Sequence, residues 1–109
     1  GTFTKSIRLM VRESGSWTWS EVFRRCSHLP ARVLDETAPG MRAKGHLGVG
    51  ADADIVVLDP ATITDRATYE DPTRPAQGVR HLFVNGTAVV HDGRLQVDAL
   101  PGRAVLGRP

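Results

Sequence analysis

The chain is poor in the features that announce most functions. It has a single cysteine, Cys26, in 109 residues, so no internal disulfide can form and a reducing, cytoplasmic setting is expected. No apolar run approaches the ~20 residues of a membrane-spanning helix. No cluster of five or more basic residues occurs, and the net charge is only +2, which removes the electrostatic footprint of a nucleic-acid binder. Six aromatics are present (Phe3, Trp17, Trp19, Phe23, Tyr69 and Phe83), so any core is mainly aliphatic. No His-x-His, Cys-x-x-Cys or HExxH string occurs, and Gly45–Gly50 lacks the GK[ST] that a phosphate-binding loop needs. There is no internal repeat and no low-complexity tract. The chain opens on GTFTKSIRLM without an initiator methionine and reads as a cut from something longer.

What is present is ordinary globular material whose period changes along the chain. Residues 4–14 place Ile7, Met10 and Val11 at i, i+3, i+4, the spacing of an amphipathic helix, with Lys5, Arg8 and Arg12 elsewhere on it. A second helix is expected from Thr18, with Glu21 three residues on completing a capping box. Pro30 suits the first turn of a third short helix, Pro30–Leu34, and Asp35–Lys44 reads as a turn-rich connection. From there the pattern is extended. Leu47–Val49 reads as a short strand and Asp54–Asp59 as one covered on both faces. Pro60–Pro75 is expected to be a loop with one or two helical turns. Val79–Val84 and Thr87–His91 are joined by Asn85-Gly86, the strongest short hairpin signal because both positions require positive φ. That two-residue loop sets Val84 opposite Thr87, Phe83 opposite Ala88, Leu82 opposite Val89 and His81 opposite Val90. Asp92-Gly93 then turns the chain into Arg94–Val97.

Chemistry-bearing residues are few and scattered. Cys26 and His28 lie two apart on a predicted helix and point about 200° apart, too far to share a metal; Cys26 reads as a small core residue. His46, His81 and His91 stand singly, and the hairpin register puts His91 opposite Arg80. Asp52, Asp54 and Asp59 form the one carboxylate cluster. Paired acids or calcium ligands are one reading. The stronger one makes Asp54 an acceptor for amides of the glycine-bearing turn and Asp59-Pro60 a strand exit. No serine lies in a nucleophile elbow. Neither a metal site nor a catalytic set is expected within these residues.

The densest signal is Lys44–Pro60, KGHLGVGADADIVVLDP, followed by Val79–Gly93, VRHLFVNGTAVVHDG. In this order the two phrases, through Gly45, Gly50, Ala53, Asp54, Asp59, Asn85 and Gly86, resemble the C-terminal end of metal-dependent amidohydrolases. Gly1-Thr2-Phe3 before a helix, Leu29-Pro30-Ala31, the run Asp65-Arg66-Ala67-Thr68-Tyr69 with Asp71-Pro72, and Pro101-Gly102-Arg103 narrow the resemblance to N-acyl-D-amino-acid deacylases (D-aminoacylases). Thr4-Lys5 departs from the Pro-Arg usual there, and the loop Glu36–Met41 also differs. The resemblance implies a parent enzyme that hydrolyses an amide with a zinc-activated water at the mouth of a (β/α)8 barrel. It implies that the ligands and the proton-shuttling aspartate lie upstream of Gly1.

The fold class expected is therefore α+β. Two or three N-terminal helices, the end of the barrel, occupy 1–43, and a mostly antiparallel portion of a small β-sandwich occupies 44–109. Gly1, Thr2 and Phe3 are expected beside the substrate, an N-acyl amino acid bound by the parent. Gly45, Gly50, Asp54, Asn85 and Gly86 are expected to be structural. The missing N-terminal strands and barrel would be the partners, and the exposed strand of the fragment is expected to self-associate. Two alternatives stand beside this reading: a self-contained β-rich binding module, and part of a dihydroorotase- or hydantoinase-like enzyme. The DRATYEDP run argues against the latter.

Overall fold

The computed structural model describes residues 1–109 as two helices followed by a four-stranded antiparallel sheet. The first helix, α1, spans 2–13, starting as the α-helical Thr2–Ser6 and widening into π-helical Ile7–Glu13. The second, α2, spans 19–35: α-helical Trp19–Phe23, π-helical Arg24–His28, then α-helical Leu29–Asp35. The helix begins where the sequence places it, with the Thr18 hydroxyl accepting from the Glu21 amide at 3.2 Å. The Glu21 carboxylate pairs with Arg25 and Arg24 instead of reaching back to complete the box.

Pro30 does not open a third helix. It sits inside α2, directly after the π-helical segment. A proline ring in a regular α-helix clashes with the carbonyl four residues back, here Cys26, and the wider π spacing relieves that contact. The expected connection 35–44 carries a 3-10 turn, Pro39–Ala43. The Arg32 guanidinium anchors that turn, one Nη donating to the carbonyls of Met41, Arg42 and Lys44 at 2.9, 3.3 and 3.0 Å while the other pairs with Asp35.

The sheet is a meander in the order β1 (Ile55–Leu58), β2 (Val79–Val84), β3 (Thr87–His91) and β4 (Arg94–Leu95). Two expectations change here. Leu47–Val49 is no strand; it forms turns, and both apolar side chains are exposed. β1 is four residues long and is not covered on both faces, since Val56 and Val57 remain 49% and 44% exposed. The segment 60–75 is the expected irregular loop and opens on a single helical-type turn, the Thr62 and Ile63 amides donating to the Asp59 carbonyl at 3.2 and 2.9 Å; one bridge, Thr64 to Gln77, ties it to the sheet.

The hairpin pairs Val84 with Thr87 and Phe83 with Ala88 as its turn dictates, and Asn85 and Gly86 have φ of 48° and 77°. Beyond that point a bulge at Val89 shifts the register, so Leu82 pairs with Val90 rather than Val89. A second shift, at Arg80, separates the pairs Val57–His81 and Val79–Leu58. Neither bulge wastes its backbone acceptor: Gly93 donates to the Arg80 carbonyl and Gln96 to that of Val89, at 2.8 and 2.9 Å.

Only four residues are buried, Ile7, Val22, Ala31 and Ile63. Ile7 from α1, Val22 from α2 and Ile63 from the loop after β1 meet in one small core. Val11, Trp17, Trp19, Cys26, Leu58 and Val79 pack around it. Ile63 reaches that point because Gly78 lets the two backbones touch: a Cβ on Gly78 would lie 2.5 Å from the Ile63 Cα. No helix is long and apolar enough to cross a membrane.

Candidate functional site

Gly1, Thr2 and Phe3 form the exposed first turn of α1. The Gly1 carbonyl accepts from the Lys5 amide at 2.8 Å and the Thr4 hydroxyl at 3.0 Å. This turn leans on the DRATYEDP loop. A Cβ on Gly1 would stand 3.3 Å from the Asp65 Cβ and 3.7 Å from the Ala67 Cβ. Asp65 in turn takes a two-pronged ion pair from Arg8, Nε to Oδ1 at 2.7 Å and Nη2 to Oδ2 at 3.3 Å, while the other Nη of Arg8 holds Glu13. The Arg8 fork holds the Asp65 carboxyl well below the usual range, at about 2, and Asp65 and Glu13 together raise the Arg8 guanidinium. Sequence reasoning missed this pair; its 57-residue separation leaves no local signal.

The two glycine-bearing phrases meet at Asp54. Its carboxylate accepts from the Asn85 amide at 2.9 Å and pairs with Lys44, which also holds Asp52 at 3.0 Å. The amide that Asp54 accepts belongs to the hairpin turn and not to the Gly45–Gly50 turn. Gly86 donates to the Ala53 carbonyl at 3.0 Å, and the Asn85 side chain donates to Pro101 at 2.7 Å. Lys44 first, and then the Asn85 amide, lower the Asp54 carboxyl, which keeps it a charged acceptor. Asp59 is likewise held low, by the Ala61 amide foremost. Gly45 has φ of 76° and lies so close to α2 that a Cβ would approach Ala31 to 2.7 Å; Gly50 also has positive φ, over open space. Through Asp54, Asn85 and Gly86 the segment before β1, the hairpin turn and the C-terminal segment are joined by hydrogen bonds.

Between α2 and β1 lies an open apolar groove of about 690 Å³, lined among others by Phe23, Leu34, Met41, Leu47, Ile55 and Val56. Cys26 and His28 border it. Burial raises the Cys26 thiol, and His28 Nδ1 lies 3.2 Å from the Gly45 carbonyl.

The remaining histidines are placed differently from the expected register. The Val89 bulge brings His91 beside His81, ring centroids 5.2 Å apart, instead of opposite Arg80. Each Nε2 lies 3.5 Å from an Asp92 carboxylate oxygen, and His81 Nδ1 accepts from the Asp92 amide. That acceptance places the proton of a neutral His81 on Nε2, the nitrogen facing Asp92, where a metal would need a lone pair. No three of the chain's histidine, cysteine, aspartate and glutamate side chains stand together as a ligand set. The residues present do not fit a catalytic zinc.

The family model of the amidohydrolase family matches residues 2–90, and the chain belongs to that family. Among its relatives are an N-acyl-D-glutamate deacylase and an N-acyl-D-aspartate deacylase, both of Alcaligenes xylosoxydans xylosoxydans. The first is 42% identical over 82% of this chain and 17% of the relative, the second 34% identical over 96% and 20%. The fold is similar to the crystal structure of a D-aminoacylase, with TM-score 0.77 and 33% identity over 88% of this chain and 19% of that one. It is also similar to the N-acyl-D-glutamate deacylase of Bordetella bronchiseptica, complexed with zinc and a phosphonate mimic of the tetrahedral intermediate. There the TM-score is 0.73 and the identity 39%, over 87% of this chain and 20% of that one. The chain thus spans about a fifth of the length of these relatives.

Proposed function

We propose that the chain is the C-terminal region of a zinc-dependent, cytoplasmic amidohydrolase that hydrolyses N-acyl-D-amino acids. In this reading residues 1–43 are the last barrel helices with their connection, and 44–109 are part of the flanking β-sandwich. The region supports the barrel, supplies no catalytic residue, and sets Gly1–Phe3 beside the substrate mouth. The observation that carries the reading is the agreement of fold and sequence, a TM-score of 0.77 at 33% identity, with a D-aminoacylase of which this chain matches 19%. The fold likewise resembles an N-acyl-D-glutamate deacylase complexed with zinc, which supports a metal supplied by the parent.

A further support is energetic. Four buried residues out of 109 make a small core for a chain of this length, and a chain covered by a larger body leaves such surface for its partner. This weighs against the self-contained binding module. The test is to assay the chain alone and joined to the upstream barrel of the parent, with N-acetyl-D-glutamate, N-acetyl-D-aspartate and N-acetyl-D-leucine. Zinc-dependent release of the amino acid by the joined protein, and none by the chain alone, is the expected result. Turnover by the purified chain alone, or a joined protein inert on all three, would sink the reading.

A further inference from the structure

Each residue of the segment Ile63-Thr64-Asp65 is pinned to another part of the chain. Ile63 is 1% exposed and sits in the core with Ile7 and Val22. Thr64 exchanges backbone hydrogen bonds with Gln77, both at 3.0 Å, at the approach to β2. Asp65 takes the Arg8 fork. Two of these three ties lead to α1, one through Ile7 and one through Arg8, its neighbour. Beyond them the loop closes on itself: Thr68 and Asp71 exchange bonds at 3.1 and 3.0 Å, leaving Tyr69 fully exposed at the tip.

The geometry points to Arg8 and Asp65 as positioning residues that fix the first turn of α1, Gly1–Phe3, against the DRATYEDP loop. The inference rests on the proposed placement of Gly1–Phe3 beside the substrate. A planar guanidinium held by both nitrogens fixes direction as well as distance, which a single-point ammonium does not. Asp65 is the link because its carboxylate holds Arg8 while its Cβ stands 3.3 Å from where a side chain on Gly1 would begin. With the fork released, the tie left between this segment and α1 is the packing of Ile63 on Ile7, further along the helix than Gly1–Phe3.

Two measurements separate this inference from the functional reading beneath it. The first needs no substrate: hydrogen exchange of the Lys5 amide, in the chain joined to its barrel. Asp65→Asn is expected to speed that exchange at least tenfold while the Val84 and Thr87 amides keep their rates. Unchanged exchange at Lys5 would overturn the inference whatever the enzyme hydrolyses. The second is kinetic, on the same protein with N-acetyl-D-glutamate. Asp65→Asn is expected to raise KM about tenfold with kcat changed less than threefold, and the charge-swapped pair Arg8→Asp/Asp65→Arg to recover most of it. A normal KM in a variant whose exchange has risen would place Gly1–Phe3 away from the substrate and overturn it there. Should Asp65→Asn fail to fold, Arg8→Lys, which keeps the charge and loses the fork, is expected to raise both readouts severalfold; no change in either overturns the inference.

Discussion

The two ends of the helix–sheet contact are built from similar residues and end in opposite states. At one end Ile7, Val22 and Ile63 exclude water, and Asp65 beside them is claimed by Arg8. At the other, Leu34, Leu47, Ile55 and Val56 line an open groove, with no second layer over β1. Hydrophobicity alone does not separate them. What separates them is that Ile63 is delivered by a returning loop, tied through Gly78 and Gln77, and meets Leu58 there, whereas Ile55 and Val56 face the open groove. Stability in this molecule should therefore be concentrated at the Ile63 end.

The largest effect that would break this contrast is at Ile63 itself. Ile63→Ala removes a fully buried side chain from a three-residue core, and a loss of roughly 2–5 kcal/mol is expected in denaturant unfolding. A loss no greater than that of a groove substitution would show the two ends to be alike. Gly86→Val comes next. The residue has φ of 77° with only the Ala53 Cβ nearby, so the cost is backbone strain, on the order of 1–3 kcal/mol. An unchanged thermal midpoint would leave the hairpin turn without its assigned role.

The Arg8–Asp65 pair gives a smaller effect with a distinctive pH window. The Asp65 carboxyl is depressed to about 2 in the fold, so its contribution is fully present above the ordinary carboxylate pKa, about 3.9, and is lost as pH falls toward 2. Thermal midpoints measured from pH 5 down to pH 2 should fall less steeply for Asp65→Asn than for the native chain. Parallel slopes would mean that other carboxylates carry the acid transition. The smallest effect on stability belongs to the groove: Leu47→Ser, at an exposed position, should stay within about 0.5 kcal/mol. Its consequence lies in association. The open edge of β1 and the groove beside it template self-association, so sedimentation of the isolated chain should show dimers or larger species at about 1 mM. Val56→Lys should reduce them, and a monomeric native chain would mean the groove needs no cover.

Legibility followed the range of the interaction. The Thr18 cap, the Asn85-Gly86 turn and the strands on either side of it depend on neighbours within a few residues, and their residue types state them. Leu47–Val49 carried apolar residues without a partner strand, and in the fold they stay in turns. Pro30 was misplaced because a proline near a helix start and one absorbed by a π-helical segment have the same local signature. The His81–His91 contact was hidden by a bulge of one residue, which no turn residue announces.

The sequence by itself determined the family, the order of helices before sheet, and the hairpin with its first two pairs, because each rests on local geometry or on a contiguous phrase. Tertiary structure alone decided that Asp54 receives the Asn85 amide, that Arg8 reaches Asp65 across 57 residues, and that Ile63 enters the core while Val56 stays out. Those outcomes depend on which distant segments come back together, and pairing at that separation leaves no periodicity in the chain to read.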